Sequence, residues 1–188
     1  MNISLNLWSD AASLCFFDPT LCEGEKSAEM SPSHRNSAVR EGLFSIVSLQ
    51  GDGQYLLRLT DTDLTLSERE AVNDVVGPIG VAVRSGRLYV SGMDLPGEPE
   101  ATYRQHGAGA FVEIPGGDYD VHVYEMRSAA VEHGLPDYVA IIRLRNGPFA
   151  CVTSETRFCG GRDHEDLMKE LMQRSPNDAS SETGTSNH

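Results

Sequence analysis

The sequence predicts a mainly β protein: an antiparallel β-sandwich or barrel built from hairpins, with two short α-helices. Three stretches carry that expectation. In each, two runs of alternating apolar and polar residues flank a turn: VAVRSGRLYV around Ser85-Gly86, AFVEIPGGDYDVHVYEM around Pro115-Gly116-Gly117, and DYVAIIRLRNGPFACVT around Asn146-Gly147. Successive side chains of a strand point to opposite faces, so a period of two marks a half-buried strand. Glycine supplies the positive φ that a tight hairpin turn needs. Pro148 opens the last returning run, where its missing N–H suits a sheet edge. Repeated signals of this kind imply antiparallel sheets packed on one another.

The elements follow in chain order. The opening MNISLNLWSDAASLCFFDP has no basic n-region, and Asp10 breaks its apolar part, so it reads as folded chain rather than a signal peptide. Glu23 to Gly42 holds few large apolar residues and is expected to be a long mobile loop. GLFSIVSL reads as a short buried strand, and QGDGQ as a turn into YLLRLT. LSEREAVNDVVGP places Ser67 and Glu70 at capping-box spacing and predicts a short helix that stops at Gly77-Pro78. DHEDLMKELMQR sets Leu167, Met168, Leu171 and Met172 on one face behind an acidic first turn, which predicts the second helix. The ending SPNDASSETGTSNH is small and polar. The expected organisation is one β-rich domain over 1–174 with a disordered tail over 175–188.

Charge narrows the function classes. Lys+Arg number 15 against 28 Asp+Glu, a formal net charge of −13. Such a chain repels phosphate backbones and anionic lipid surfaces, so neither nucleic acid nor a membrane is an expected partner. No apolar run approaches the roughly 18 residues that a membrane span requires. The sign suits a basic protein partner. Cys15, Cys22, Cys151 and Cys159 are too few for a disulfide scaffold, and reduced thiols in a cytoplasmic protein are expected.

Motifs for catalysis are absent. There is no G-x-S-x-G, no P-loop and no G-x-G-x-x-G between a strand and a helix. GDGQYLLRLTDTD lacks the order and terminal Glu of a calcium loop. The cysteine spacings fall outside the C-x₂₋₄-C pairs of zinc sites, so no metal or cofactor is expected. Cys159 lies on a Gly-rich turn before a helix start, with His164 nearby. However, Asp163, Glu165 and Asp166 surround it with negative charge that opposes thiolate formation. In DYDVHVYEM the alternation turns Tyr119, Val121, Val123 and Glu125 one way, with the Tyr-Val-Val set toward the core. It turns Asp118, Asp120, His122, Tyr124 and Met126 the other way, toward solvent. An Asp-Asp-His row at i, i+2 spacing supplies one side of a metal or acid–base site and no more.

Two acidic groups are therefore candidates for partner binding: Asp61, Asp63, Glu68 and Glu70 around the first helix, and Asp118, Asp120 and Glu125 on the late hairpin. The competing class is a small metal-dependent or acid–base enzyme that uses His106, His122 and the aspartates beside them.

The blocks AASLCFFDPTLC, SLQGDGQYLLRLTDTDLTLSERE, VAVRSGRLYVSG and IPGGDYDVHVYEM, in that order from Asp10 to about Val152, resemble a family of uncharacterised bacterial proteins. The strand that opens Gly117-Asp118-Tyr119 also resembles the competence-locus inhibitor of a DNA-entry nuclease, a small acidic β-rich protein; the Glu23–Gly42 insert departs from it. The resemblance implies an immunity- or inhibitor-like protein of the bacterial cytoplasm, which covers a basic partner such as a nuclease with an acidic face. It supplies no catalytic residue.

Overall fold

The computed structural model describes residues 1–26, 29–92, 96–106, 109–147 and 156–157. Two five-stranded sheets face each other. In spatial order, the first holds β1 (Asn2–Ser9), β4 (Gly53–Thr60), β9 (Tyr138–Leu144), β8 (Gly117–Met126) and β5 (Val72–Val83). The second holds β10 (Thr156–Arg157), β3 (Phe44–Ser48), β2 (Ser13–Phe17), β6 (Arg87–Ser91) and β7 (Gly109–Glu113). Neighbours run antiparallel except β4 with β9 and β10 with β3. The mainly β, sandwich-like class expected from the sequence is the class observed.

The main core lies between the sheets. Leu5, Leu7, Leu57, Leu59, Val121, Val123 and Ile142 meet Leu14, Phe16, Val47, Leu88, Val90 and Val112 there, all buried. Each residue set comes from alternate positions, as two packed sheet faces require. The outer faces are partly covered as well. Over the second sheet, α1 (Pro32–Arg40) brings Ala38 and α3 (Glu100–His106) brings Tyr103 against Phe17, Phe44 and Tyr89. Phe17 meets Tyr89 and Tyr103 edge to face at 5.4 and 5.5 Å. Over the first sheet, α2 (Leu66–Ala71) and α4 (Ser128–Val131) close on Val75, Val139 and Ile141. That cluster also buries Tyr124 and Met126, which the alternation of β8 assigns to solvent. Only the Asp118-to-His122 half of that face stays partly open.

Two of the three expected hairpins are not hairpins. β5 pairs with β8 in one sheet, whereas β6 pairs with β2 and β7 in the other. Arg84–Gly86 is therefore a corner that carries the chain from sheet to sheet. Ile114–Gly116, between β7 and β8, is a second one beside it, tied to the first by the Ile114 amide donating to the Gly86 carbonyl at 3.1 Å. Asp18 explains the aim of the first corner. Its buried carboxylate accepts both the Arg84 and the Ser85 backbone N–H at 2.7 Å, which turns the chain toward β2 instead of back along β5. The returning run expected after Asn146-Gly147, from Pro148 to Thr153, lies outside the described residues; the chain is described again at β10, parallel to β3 in the second sheet.

The helices also differ from expectation. The capping box is two residues upstream of Ser67 and Glu70: the Glu68 amide donates to Thr65 Oγ1 at 3.2 Å, and the Thr65 amide to Glu68 Oε2 at 2.8 Å. The helix ends at Ala71, and Val72 to Val83 continue as a strand through Gly77-Pro78. β-branched Val72, Val75, Val76, Ile79, Val81 and Val83 favour that pleated, buried surface over a helix. Within Glu23–Gly42, expected as a loop, Ser31 caps α1 by accepting the His34 amide, with Pro32 at the first helical position. The C-terminal helix, the tail, Cys151, Cys159 and His164 lie outside the described residues.

Candidate functional site

The seven acidic residues divide into three kinds. Asp61, Asp63, Asp118 and Asp120 lie at or near the surface, each against a cation. Asp61 binds the N-terminal amine at 2.7 Å and is held below the ordinary carboxylate range by that contact. Asp63 pairs with Arg143, Asp118 with Arg84 at 2.5 Å, and Asp120 with Arg145 at 3.0 Å. Glu70 is exposed.

Glu68 is no part of an open acidic face. It is 3% exposed, and Arg58 Nε and Nη2 grip its two oxygens at 2.6 Å. Burial pushes its carboxyl up, but Arg58 and Thr65 more than offset this and hold it below its ordinary value. The helix position that serves the cap also serves the Arg58 fork on β4, so this carboxylate is spent on structure.

Glu125, also expected on the partner face, is buried at the end of β8 and lines a cavity of about 320 Å³. Three pieces of chain meet there. The β3–β4 corner brings Gln50 and Tyr55, α4 brings Ser128 and Glu132, and the entry to β9 brings Asp137 and Tyr138. Glu125 Oε2 accepts from Asn73 Nδ2 at 2.7 Å and from Gln50 Nε2 at 3.1 Å. Asp137 Oδ2 accepts the Leu56 amide at 2.7 Å, which fixes that wall to β4. Tyr55 and Tyr138 meet edge to face at 5.4 Å, and the Tyr55 hydroxyl donates to the Gly51 carbonyl.

The electrostatics of this cleft have one sign. Burial and the neighbouring Asp74 carboxylate push the Glu125 carboxyl above its ordinary value, against the two amides that favour its charged form. Burial also raises the Tyr55 and Tyr138 hydroxyls, and Asp137 and Glu125 add to the rise of both. Asp52 contributes at Tyr55. Among the described residues, no cation lies within ion-pair distance of Asp52, Glu125, Glu132 or Asp137. Glu125, Tyr55 and Tyr138 each resist further negative charge, and a bound cation would relieve all three at once.

The two histidines of the acid–base reading lie on different layers, and only His122 shares a face, that of β8, with Asp118 and Asp120. His122 lies on the outer face of β8, its ring stacked on Tyr124 at 6.4 Å, whereas Glu125 points to the other side. His106 is the last residue of α3, an element that covers the second sheet. Cys22 donates to the Leu43 carbonyl at 3.2 Å, and burial, with Asp18 and Glu25, pushes its thiol up to about 12, which keeps it protonated at neutral pH. Among the described residues no three His, Cys, Asp or Glu gather as metal ligands. No helix of the described residues is long and apolar enough to cross a membrane.

Sequence reasoning missed Gln50, Asn73, Tyr55, Glu132 and Asp137. Each carries an ordinary turn or strand signal, and only the fold makes them neighbours.

Fold and cleft together define a two-sheet β protein with a negatively charged, tyrosine-walled cavity at one end of its first sheet. No protein-family model and no curated protein matches the sequence. Among solved structures, the chain is similar to ComJ of Bacillus subtilis, inhibitor of the DNA-degrading activity of NucA. That likeness has 10% identity over 74% of this chain and 93% of that one, with a TM-score of 0.47. It is also similar to the crocagin biosynthetic protein J, at 16% identity over 77% of this chain and 96% of that one, with a TM-score of 0.46. ComJ is the competence-locus inhibitor that the Gly117-Asp118-Tyr119 strand resembles.

Proposed function

We propose that this protein is a non-enzymatic, acidic interaction protein of inhibitor or immunity type, and that its partner is a basic protein. One observation carries the reading. The aspartates of the outer face are each neutralised by a cation within the same chain, whereas Glu125, Glu132 and Asp137 line one cleft, with Asp52 near enough to raise the Tyr55 hydroxyl. Among the described residues none of these four has a cation within ion-pair distance. Uncompensated charge in a concave, poorly solvated place focuses the field there and draws an oppositely charged surface to it. A nuclease is the plainest such partner, because a groove that neutralises phosphates must carry Lys and Arg.

The test is kinetic. A basic partner captured from the native host should associate more slowly as salt rises toward 0.15 M, where the Debye length is about 8 Å. Neutralising the cleft acids Glu132→Gln and Asp137→Asn together with their neighbour Asp52→Asn should lower the on-rate several-fold. Neutralising Asp61, Asp63, Asp118 and Asp120 to Asn should change it less, because those charges are already balanced. If the cleft variant captures the same partner at the same rate, or if no basic protein is captured, the reading is wrong.

A further inference from the structure

We infer that the cavity at the end of β8 is a receptor for a single arginine side chain, supplied by the basic partner of the reading above, on which this inference rests. The argument starts from Glu125. It is nine-tenths buried, and both of its amide partners donate to Oε2. Oε1 accepts no hydrogen bond among the described residues, although the side chain lines the cavity. Oε1 is therefore open to a donor from outside the chain, and a charged donor that arrives with a ligand makes a strong hydrogen bond there. The Asp137 carboxylate stands on the adjoining wall with Oδ2 committed to the Leu56 amide. Two carboxyl groups on neighbouring walls suit a planar, multi-donor cation better than a point charge, which favours guanidinium over ammonium.

The walls and the size agree. Tyr55 and Tyr138 give the cavity an aromatic side, on which a guanidinium is held by cation–π attraction and stacking. A volume of about 320 Å³ lies at the small end of ligand pockets, fitting one long side chain rather than a peptide segment. Glu132 at the rim neutralises whatever of the positive charge stays outside. A single well-desolvated arginine anchor is also how a small interface concentrates its affinity.

The experiment needs no partner. N-acetyl-arginine methylamide, which carries only the side-chain charge, is titrated into the full-length protein and followed through the Tyr55 and Tyr138 ring signals by NMR. The uncharged shape mimic N-acetyl-citrulline methylamide and the lysine analogue are titrated in parallel. The expected result is saturable binding of the arginine probe. The lysine probe should bind weaker by several-fold, and the citrulline probe should leave the two rings unmoved. Glu125→Gln keeps an acceptor for Asn73 and Gln50 and should weaken the arginine probe roughly tenfold, the scale of one charged hydrogen bond. Asp137→Asn keeps an acceptor for Leu56 and should weaken it by a similar factor, so one poorly folded variant does not decide the matter. No saturable shift, or equal binding of the citrulline probe, overturns the proposal even if a basic partner is captured. Arginine binding without a captured partner would leave the receptor standing and remove the steering reading alone.

Discussion

Replacing Asp18 by Ala should destabilise this protein by roughly 4 kcal/mol. The carboxylate is fully buried and accepts five hydrogen bonds. Oδ1 takes the Thr20 amide and hydroxyl at 2.9 and 2.8 Å and the Ser85 hydroxyl at 2.9 Å; Oδ2 takes the Arg84 and Ser85 amides. Burial pushes the carboxyl up, but these donors outweigh burial and hold it below its ordinary 3.8. Ala strands three backbone N–H groups at about 1–3 kcal/mol each, less whatever water recovers in the space left behind, and the hydroxyls can rotate to other acceptors. Asn restores one good acceptor but turns its NH₂ toward the remaining donors, so about 2 kcal/mol is expected. Urea unfolding followed by far-UV CD measures both, and for a domain of this size the Ala variant should also melt roughly 10 °C lower. The pH dependence has a fixed sign. A depressed carboxylate contributes its stability above the unfolded value of 3.8 and loses it as pH falls through the lower folded value, so wild type and Asp18→Ala should converge in acid. A loss below about 1 kcal/mol, or a gap that persists in acid, would refute the clamp as the reason for the corner.

Two further perturbations separate structural from binding carboxylates. Arg58→Met leaves Glu68 buried and unpaired and should cost about 3 kcal/mol, while Arg58→Met with Glu68→Gln should recover part of it; a double-mutant cycle in urea reads the coupling. Glu125→Gln should act in the opposite direction. Its carboxyl is raised by burial and by Asp74, so its stability contribution is complete below the unfolded value of 4.5 and fades as pH rises through the folded one. Relative to wild type, Glu125→Gln should therefore gain stability as pH rises toward neutrality, and denaturant midpoints from pH 4 to 8 show whether it does.

Turns were legible in the sequence; what the turns join was not. Gly86, at φ +78°, takes the left-handed backbone that the Ser85-Gly86 signal implies. Yet the signal carries no information about which sheet receives Arg87, because that is decided by Asp18, far away in sequence. The same distance hid the pairing of charges: Asp63 meets Arg143, and Asp118 meets Arg84, only after the sheets form. A polar row read along one strand therefore looked like an acidic face, although its countercharges sit on other elements. Periodicity placed Tyr119, Val121 and Val123 in the core correctly, since one strand's alternation suffices for that. It failed at Tyr124 and Met126, because α2 and α4 make the outer face of that end a second interior. The helix over Pro32–Arg40 buries little beyond Ala38, so its apolar signal was faint, and the Ser31-Pro32 start was its one local sign.

The order of strands in the first sheet has a consequence for the protein's life before it is folded. β9 is the last long strand in the described chain, yet it occupies the middle of that sheet, between β4 and β8. Until it is made, β1 with β4 and β5 with β8 are two separate ribbons, each with an unpaired edge where β9 will lie. Two-stranded ribbons are marginal alone, and open edges invite pairing with other chains. The growing chain thus carries one adhesive half-sheet once β4 is made and a second once β8 is made, and both edges close together only with β9. Assembly of this kind is slow and all-or-none. A chain ending before Tyr138 should behave as an aggregating fragment rather than a smaller version of the protein.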